Sequence, residues 1–164
     1  MKRILCGLLG FAVALPATAI IRRHDRDDAR YLAAAAPYDY VVDLNLPGGA
    51  GTLIAPRWVV TAAHAAKLMK SSHVVKIAGK PYEVAKCVIF PDGGEGKDDI
   101  ALLKLATAAA DVKPVPIYEG TQEDHEPGIV TFVGQGFSGD GLSGPTVRDG
   151  KRRAATSRHT AMDK

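Results

Sequence analysis

The chain is 164 residues long, which suits a single small domain. Its 21 lysines and arginines against 18 aspartates and glutamates give a net charge of +3. This near balance excludes the strongly basic surface that attracts nucleic acids or anionic membranes.

The first residues predict a secretory signal peptide. Lys2 and Arg3 precede an apolar run over residues 4–15, and a small-x-small triplet ends at Ala19. The run is shorter than the roughly 20 apolar residues of a membrane-spanning helix, so an uncleaved anchor is the weaker alternative. We expect removal of residues 1–19 and a secreted or periplasmic protein. The leader holds two of the 21 basic residues, so cleavage would leave 19 against 18 acidic residues, a net charge of +1.

Short apolar segments recur along the rest of the chain, with turn-forming residues between them, and predict an all-β fold built as a closed antiparallel barrel or a sandwich. Two short helices are also expected, at 29–36, where Pro37 would end the helix, and at 62–70. The predicted strands are Tyr40–Leu46, Gly51–Ala55, Trp58–Thr61, Val74–Ala78, Tyr82–Phe90, Ile100–Leu105 and Ile129–Gly134.

The remaining features predict ordinary structural roles. Cys87 would be the single cysteine of the mature chain, and its apolar surroundings predict a buried side chain without a disulfide. The mixed charges of Arg22–Asp28 indicate a solvated face, and the histidines at 24, 73 and 125 indicate solvated side chains instead of metal ligands.

The most informative stretch runs from Gly48 to His64, where two predicted strands joined by a short turn lead into the histidine. The small residues at 61–63 allow tight backbone packing, which would hold the imidazole at a barrel rim. An imidazole has an ordinary pKa of about 6.5, so it can accept and return a proton near neutral pH.

A second informative stretch places Asp98 and Asp99 directly before the apolar strand Ile100–Leu105. A carboxylate buried there needs a partner, because an unpaired buried charge is costly. An imidazole N–H is a suitable partner, since the carboxylate would orient the ring and stabilise its protonated form.

Together these motifs resemble those of the chymotrypsin/trypsin serine protease family, in its secreted bacterial form. Thr61-Ala-Ala-His64 is similar to the family's histidine motif, and Asp99-Ile-Ala-Leu-Leu103 to its aspartate motif, in the same order. Gly134-Gln-Gly136 is similar to the glycine-aromatic-glycine that ends the first barrel. The resemblance spans roughly residues 38–136.

The resemblance implies a six-stranded antiparallel β-barrel, one of the usual two, and peptide cleavage by acyl transfer. His64 would be the general base, with Asp99, preferred over Asp98, as its orienting acid. The implied partner is a polypeptide substrate, without nucleic acid or membrane, and no metal or organic cofactor is implied. The sequence departs from the family at Ala65, where relatives often carry a disulfide-bonded cysteine, and at Gln135, where tryptophan is common.

In that family the nucleophilic serine lies on a second barrel, in a Gly-Asp-Ser-Gly-Gly-Pro motif. Gly139–Pro145 partly imitates it, but Asp140 and Ser143 are separated by extra residues. We interpret this stretch as an interdomain loop. Ser143 as the nucleophile is the alternative, with Ser138 a weaker one.

We therefore predict a signal peptide at 1–19, a trypsin-like N-terminal barrel at 20–136, and an interdomain-like loop with a truncated, irregular tail at 137–164. The chain would be a serine endopeptidase by family and nearly inactive alone. A fragment, a frameshift product and a pseudoenzyme would look alike. The alternative function is a non-catalytic module that binds peptides or proteins.

Overall fold

The computed structural model describes residues 18–69, 73–90, 98–120 and 128–159. The predicted leader therefore lies almost entirely outside the described residues, as does His125. Within the described ranges, none of the helices is both long enough and apolar enough to cross a membrane.

The described chain opens with strand β1 (Thr18–Arg22) and helix α1 (Asp28–Ala35). Asp27 caps the helix by accepting a hydrogen bond from the Ala29 N–H at 2.9 Å. Alanines favour the helical backbone, and the following Pro37 prevents its continuation. The helix predicted at 29–36 is confirmed to within one residue at either end.

Six strands close into an antiparallel barrel in the order β2-β3-β4-β7-β6-β5. A short helix, α2 (Ala63–Lys67), connects β4 to β5. The barrel and the predicted fold class are confirmed, and each of the first six predicted strands has its counterpart. The barrel strands are β2 (Val41–Asp43), β3 (Ala50–Ala55), β4 (Trp58–Thr61), β5 (Val74–Ile77), β6 (Lys80–Ile89) and β7 (Ala101–Leu105).

The barrel interior is filled by every second residue of its strands. On β7, Ala101, Leu103 and Leu105 are buried while the residues between them are partly exposed. Each fully buried leucine stabilises the fold by roughly 1.5–3 kcal/mol. Gly51 lets β3 approach β4, because a Cβ there would lie 2.7 Å from Val59 Cγ1.

Cys87 is exposed, which makes the prediction of a buried side chain wrong. The cause is the length of β6. Its first residues, Lys80–Glu83, pair with β5, and its later residues, Val84–Ile89, pair with β7. Cys87 therefore lies in the part of β6 that pairs with β7 and not with β5. The apolar run around it is not fully covered.

The residues after Gly136 are also more regular than expected. Strand β8 (Gly128–Gly134) ends just before this part of the chain, and three strands lie within it: β9 (Phe137–Asp140), β10 (Gly144–Val147) and β11 (Arg153–His159). Strand β9 lies between β1, to which it is parallel, and β10. The expectation of an irregular tail is thus wrong for these residues.

The pairing partners explain this regularity. Strand β11 forms a seven-residue antiparallel ladder with β8, from Arg153 opposite Gly134 to His159 opposite Gly128. The tail has too few apolar residues to bury a core alone, but it obtains its hydrogen bonds and packing from segments that precede it. The ladder crosses the predicted boundary at 136/137, and the last predicted strand, Ile129–Gly134, belongs to this ribbon and not to the barrel.

Buried charge fixes the ribbon against α1. The Arg153 side chain is 2% exposed and contacts two carboxylates, Asp28 at 2.7 and 2.8 Å and Asp149 at 2.8 and 2.9 Å. These hydrogen bonds hold the pKa of both carboxyl groups below the ordinary value and raise the pKa of the guanidinium. Arg153 is therefore the anchor between the helix and the last described strand.

Candidate active site

His64 lies in the first turn of α2, directly after the end of β4. The residue before the helix, Ala62, has no side chain that could cap the free N–H groups of the first turn. Thr61 secures the end of β4, since its buried hydroxyl donates a hydrogen bond to the Ala50 carbonyl at 3.0 Å. The imidazole is thus attached to a rigid corner of the barrel.

The strand register brings Asp99 to this corner. In the antiparallel pairing of β4 with β7, Thr61 lies opposite Ala101. His64 follows Thr61 by three residues and Asp99 precedes Ala101 by two, so both lie beyond the same end of the strand pair. Two residues that are 35 positions apart in sequence therefore meet.

The Asp99 carboxylate contacts His64 with both oxygens. One oxygen accepts a hydrogen bond from the His64 main-chain N–H at 2.9 Å, and the other lies 2.6 Å from Nδ1 of the ring. The first contact supplies the cap that Ala62 cannot provide, and the second fixes the ring. Both contacts stabilise the charged form, so they hold the pKa of Asp99 below its ordinary value.

This geometry determines the tautomer of His64. An ionised carboxylate has no proton to donate, so the proton in the 2.6 Å contact must belong to Nδ1. In the neutral ring Nε2 is then the acceptor. The side chain of His64 is 50% exposed and that of Asp99 is 23% exposed. The ring is accessible, and it makes no hydrogen bond through Nε2 to any residue in the described ranges.

Asp98, the competing acid, makes no hydrogen bond with His64. Its backbone has a φ of 54°, and its carbonyl accepts a hydrogen bond from the Ile100 N–H at 2.8 Å. The residue is exposed. The structure therefore pairs Asp99, not Asp98, with His64.

Ser143 occupies the turn between β9 and β10 and contacts Asp140. Its hydroxyl donates a hydrogen bond to Oδ1 of Asp140 at 2.9 Å. The Ser143 main-chain N–H donates to the same carboxylate oxygen at 2.8 Å. No described serine is hydrogen-bonded to His64. Ser138 is instead buried, and within the described ranges its hydroxyl has no hydrogen-bond partner.

One further side chain differs from its sequence-based interpretation. His73, predicted to be solvated, is half-buried and its Nε2 lies 2.6 Å from the Leu44 carbonyl, where it can donate. A cavity of about 310 Å³ lies between the turn after β2 and the segment Gln135-Gly136, with Arg148 at its edge. No spacing in the sequence indicated that these segments meet.

The comparisons with known proteins agree with this architecture. The sequence matches the trypsin family over residues 30–154, which is 125 of the 164 residues. The chain therefore belongs to the trypsin family, as its motifs predicted. No similar sequence was found among curated proteins.

Among solved structures, the fold is similar to that of neuropsin, described as a serine protease expressed in the limbic system of mouse brain. The TM-score is 0.60 with 20% sequence identity, and the match covers 76% of this chain. It covers 60% of the neuropsin chain, so this chain spans little more than half of that protein. At this level of identity the likeness establishes the fold.

Proposed function

We propose that this chain supplies the proton-transfer half of a serine endopeptidase site. His64 is the general base, which accepts the proton of a serine hydroxyl and delivers it to the leaving amine. Asp99 orients the ring and stabilises the imidazolium. The observation that supports this proposal is the 2.6 Å contact between the Asp99 carboxylate and Nδ1, which leaves Nε2 as the acceptor on an accessible ring.

The proposal places the nucleophile and the oxyanion-binding groups on a second barrel, as the family resemblance implies. Within the described ranges, the hydroxyl of Ser143 is held by Asp140 in a turn, which supports its interpretation as a loop residue. The chain alone should then cleave peptides no faster than a His64→Ala variant.

Polypeptides are the proposed substrates, and export after cleavage at Ala19 is the proposed route to them.

The test joins the chain to a serine-bearing second barrel of a trypsin-family protease. We expect the joined protein to hydrolyse a fluorogenic peptide and to react with a fluorophosphonate at the added serine. His64→Ala should abolish both, Asp99→Ala should reduce both strongly, and Asp98→Asn serves as the matched control that keeps them. A joined protein that hydrolyses peptides equally well with His64→Ala would contradict the proposal.

The chain alone gives the second arm of this test. We expect no fluorophosphonate labelling of the 164-residue chain, because no described serine contacts His64. Labelling at Ser143 that is lost in His64→Ala would overturn its interpretation as a loop residue and place the nucleophile within this chain. The site of labelling is determined by mass spectrometry of the digested protein.

A further inference from the structure

A cavity of about 540 Å³ lies away from His64, between α1, the end of β1 and the β8–β11 ribbon. We call it the α1 cavity. Small-molecule sites in proteins usually have volumes of about 300–1,000 Å³, so this cavity has room for a ligand larger than an inorganic ion. Its lining includes Arg23, Arg26 and Arg30, two tyrosines and a pair of threonines.

The charges that line the α1 cavity are all positive, since its lining holds three arginines and no carboxylate. Arg23 is already neutralised by Asp25, with contacts at 2.9 and 2.7 Å, and these bonds lower the pKa of that carboxyl to about 2. Arg26 and Arg30 differ from it. Both are exposed, and neither guanidinium forms a hydrogen bond or ion pair with any residue in the described ranges.

The other nearby carboxylates are also engaged. Asp27 caps α1 through the Ala29 N–H, and Asp28 is bound by Arg153. Arg26 lies just before α1 and Arg30 in its first turn, and both border the same cavity. Two guanidinium groups at one cavity, neither hydrogen-bonded to a described residue, form an oxyanion-binding arrangement, because each can donate two parallel hydrogen bonds to a phosphate or carboxylate.

The rest of the cavity lining is largely apolar and aromatic. Ile21, Ala34 and the rings of Tyr31 and Tyr38 border the space. The Tyr31 oxygen accepts a hydrogen bond from the Arg23 N–H at 3.1 Å, so its own hydroxyl proton is available for a ligand. An inorganic ion would leave these walls in contact with water, whereas an organic body would cover them.

We propose that the α1 cavity binds a small organic anion. Arg26 and Arg30 hold its phosphate or carboxylate group, and Tyr31 and Tyr38 cover its aromatic or aliphatic body. In Arg22–Asp28, which the sequence suggested to be a solvated face, the three carboxylates thus accept hydrogen bonds, while the Arg26 guanidinium makes none within the described ranges. The site is independent of His64 and does not depend on the proposed peptidase function.

The test is an NMR titration of the ¹⁵N-labelled full chain with phenyl phosphate, inorganic phosphate and benzoate. We expect shifts of the amide signals of residues 26–31, Thr131 and Thr156, with phenyl phosphate binding at least about tenfold more tightly than inorganic phosphate. Comparison of phenyl phosphate with benzoate identifies the preferred anionic group.

The double variant Arg26→Ala/Arg30→Ala should weaken phenyl phosphate binding by at least about tenfold. Arg26→Lys/Arg30→Lys keeps the charge without the planar fork and should bind with intermediate affinity. Arg158→Ala is the matched control, because it removes an exposed arginine of β11 that does not line the cavity. Neither exposed guanidinium makes a hydrogen bond or an ion pair within the described ranges, so we expect unchanged thermal unfolding of the variants.

Three results would overturn the proposal. One is the absence of amide shifts around the cavity with any of the three probes. Another is an equal loss of affinity in Arg158→Ala, which would show attraction by net charge alone. The third is equal affinity for inorganic phosphate and phenyl phosphate, which would show that the apolar walls take no part.

Discussion

At the residue scale, Asp99 combines two roles that substitutions can separate. Asparagine retains an oxygen that can accept the His64 main-chain N–H, but it loses the negative charge that determines the ring tautomer. We predict that Asp99→Asn shifts His64 from the Nδ1–H form to a mixture of tautomers with little change in melting temperature. Asp99→Ala should change the tautomer and also lower the melting temperature, because the cap of α2 is lost.

The tautomer is measured by ¹⁵N NMR of histidine-labelled protein at neutral pH. Asp98→Asn removes the adjacent negative charge and should give the wild-type spectrum. An unchanged His64 spectrum in Asp99→Asn would show that the carboxylate does not determine the proton position.

Cys87 offers a second prediction at this scale. Its side chain is exposed, yet partial desolvation by its neighbours raises the pKa of the thiol. Because the thiolate is the reactive form, we expect Cys87 in the folded protein to react with iodoacetamide more slowly at pH 7 than it does in the unfolded chain. Mass spectrometry of the Cys87 peptide gives both rates, and a faster reaction in the folded state would contradict the prediction.

At the scale of elements, Arg153 connects the β8–β11 ribbon to α1. Removing one member of a buried ion pair typically lowers the free energy of unfolding by about 3–5 kcal/mol. Because Asp28 and Asp149 are partly exposed, we expect Arg153→Met to fall toward the lower end of this range. Arg153→Lys should also destabilise the protein, because an ammonium group cannot bind two carboxylates with planar forks. Urea unfolding followed by circular dichroism measures the free energy of unfolding.

Arg152→Met is the control for this prediction. Arg152 is the sequence neighbour and pairs with Asp39, whose side chain is 57% exposed. An exposed pair of this kind contributes about 0–1 kcal/mol. If both substitutions changed the free energy of unfolding equally, the buried network would not be the anchor of the ribbon.

At the scale of the whole molecule, the lowered carboxyl pKa values make the stability of the folded protein depend on pH. Asp28 and Asp149 have lower pKa values in the folded protein than the ordinary value of 3.8. Their contribution is therefore fully present above that value and is lost as the pH falls through the lowered values. We expect a steady melting temperature from pH 7 to about 5 and a decline below about pH 4.

The decline should be smaller in Arg153→Met, in which these two carboxyl groups lose their main partner. Differential scanning calorimetry at constant ionic strength measures it. An identical decline in wild type and variant would assign the acid sensitivity to other carboxylates, such as Asp99.

The barrel was predictable because its signals are local. Alternating apolar residues and short turns define each strand. The pairing of His64 with Asp99 was predicted from the family resemblance of two motifs, one that ends at His64 and one that begins at Asp99. The ribbon was not predictable in this way. The residues from Phe137 onward carry little apolar periodicity, and their order depends on pairing with β8 and on two partners more than 100 positions away, β1 and Asp28. Cys87 was misjudged because an apolar run does not reveal where a strand lacks its second neighbour.

The parallel pairing of β1 with β9 also determines when this part of the molecule can form. Ile20 lies opposite Ser138, 118 positions later in the chain. At about 5–20 residues per second, a ribosome needs roughly 6–24 s to translate the intervening residues. The segment that is synthesised first among the strands must wait for its partner, so the barrel can be complete before β1 takes its place.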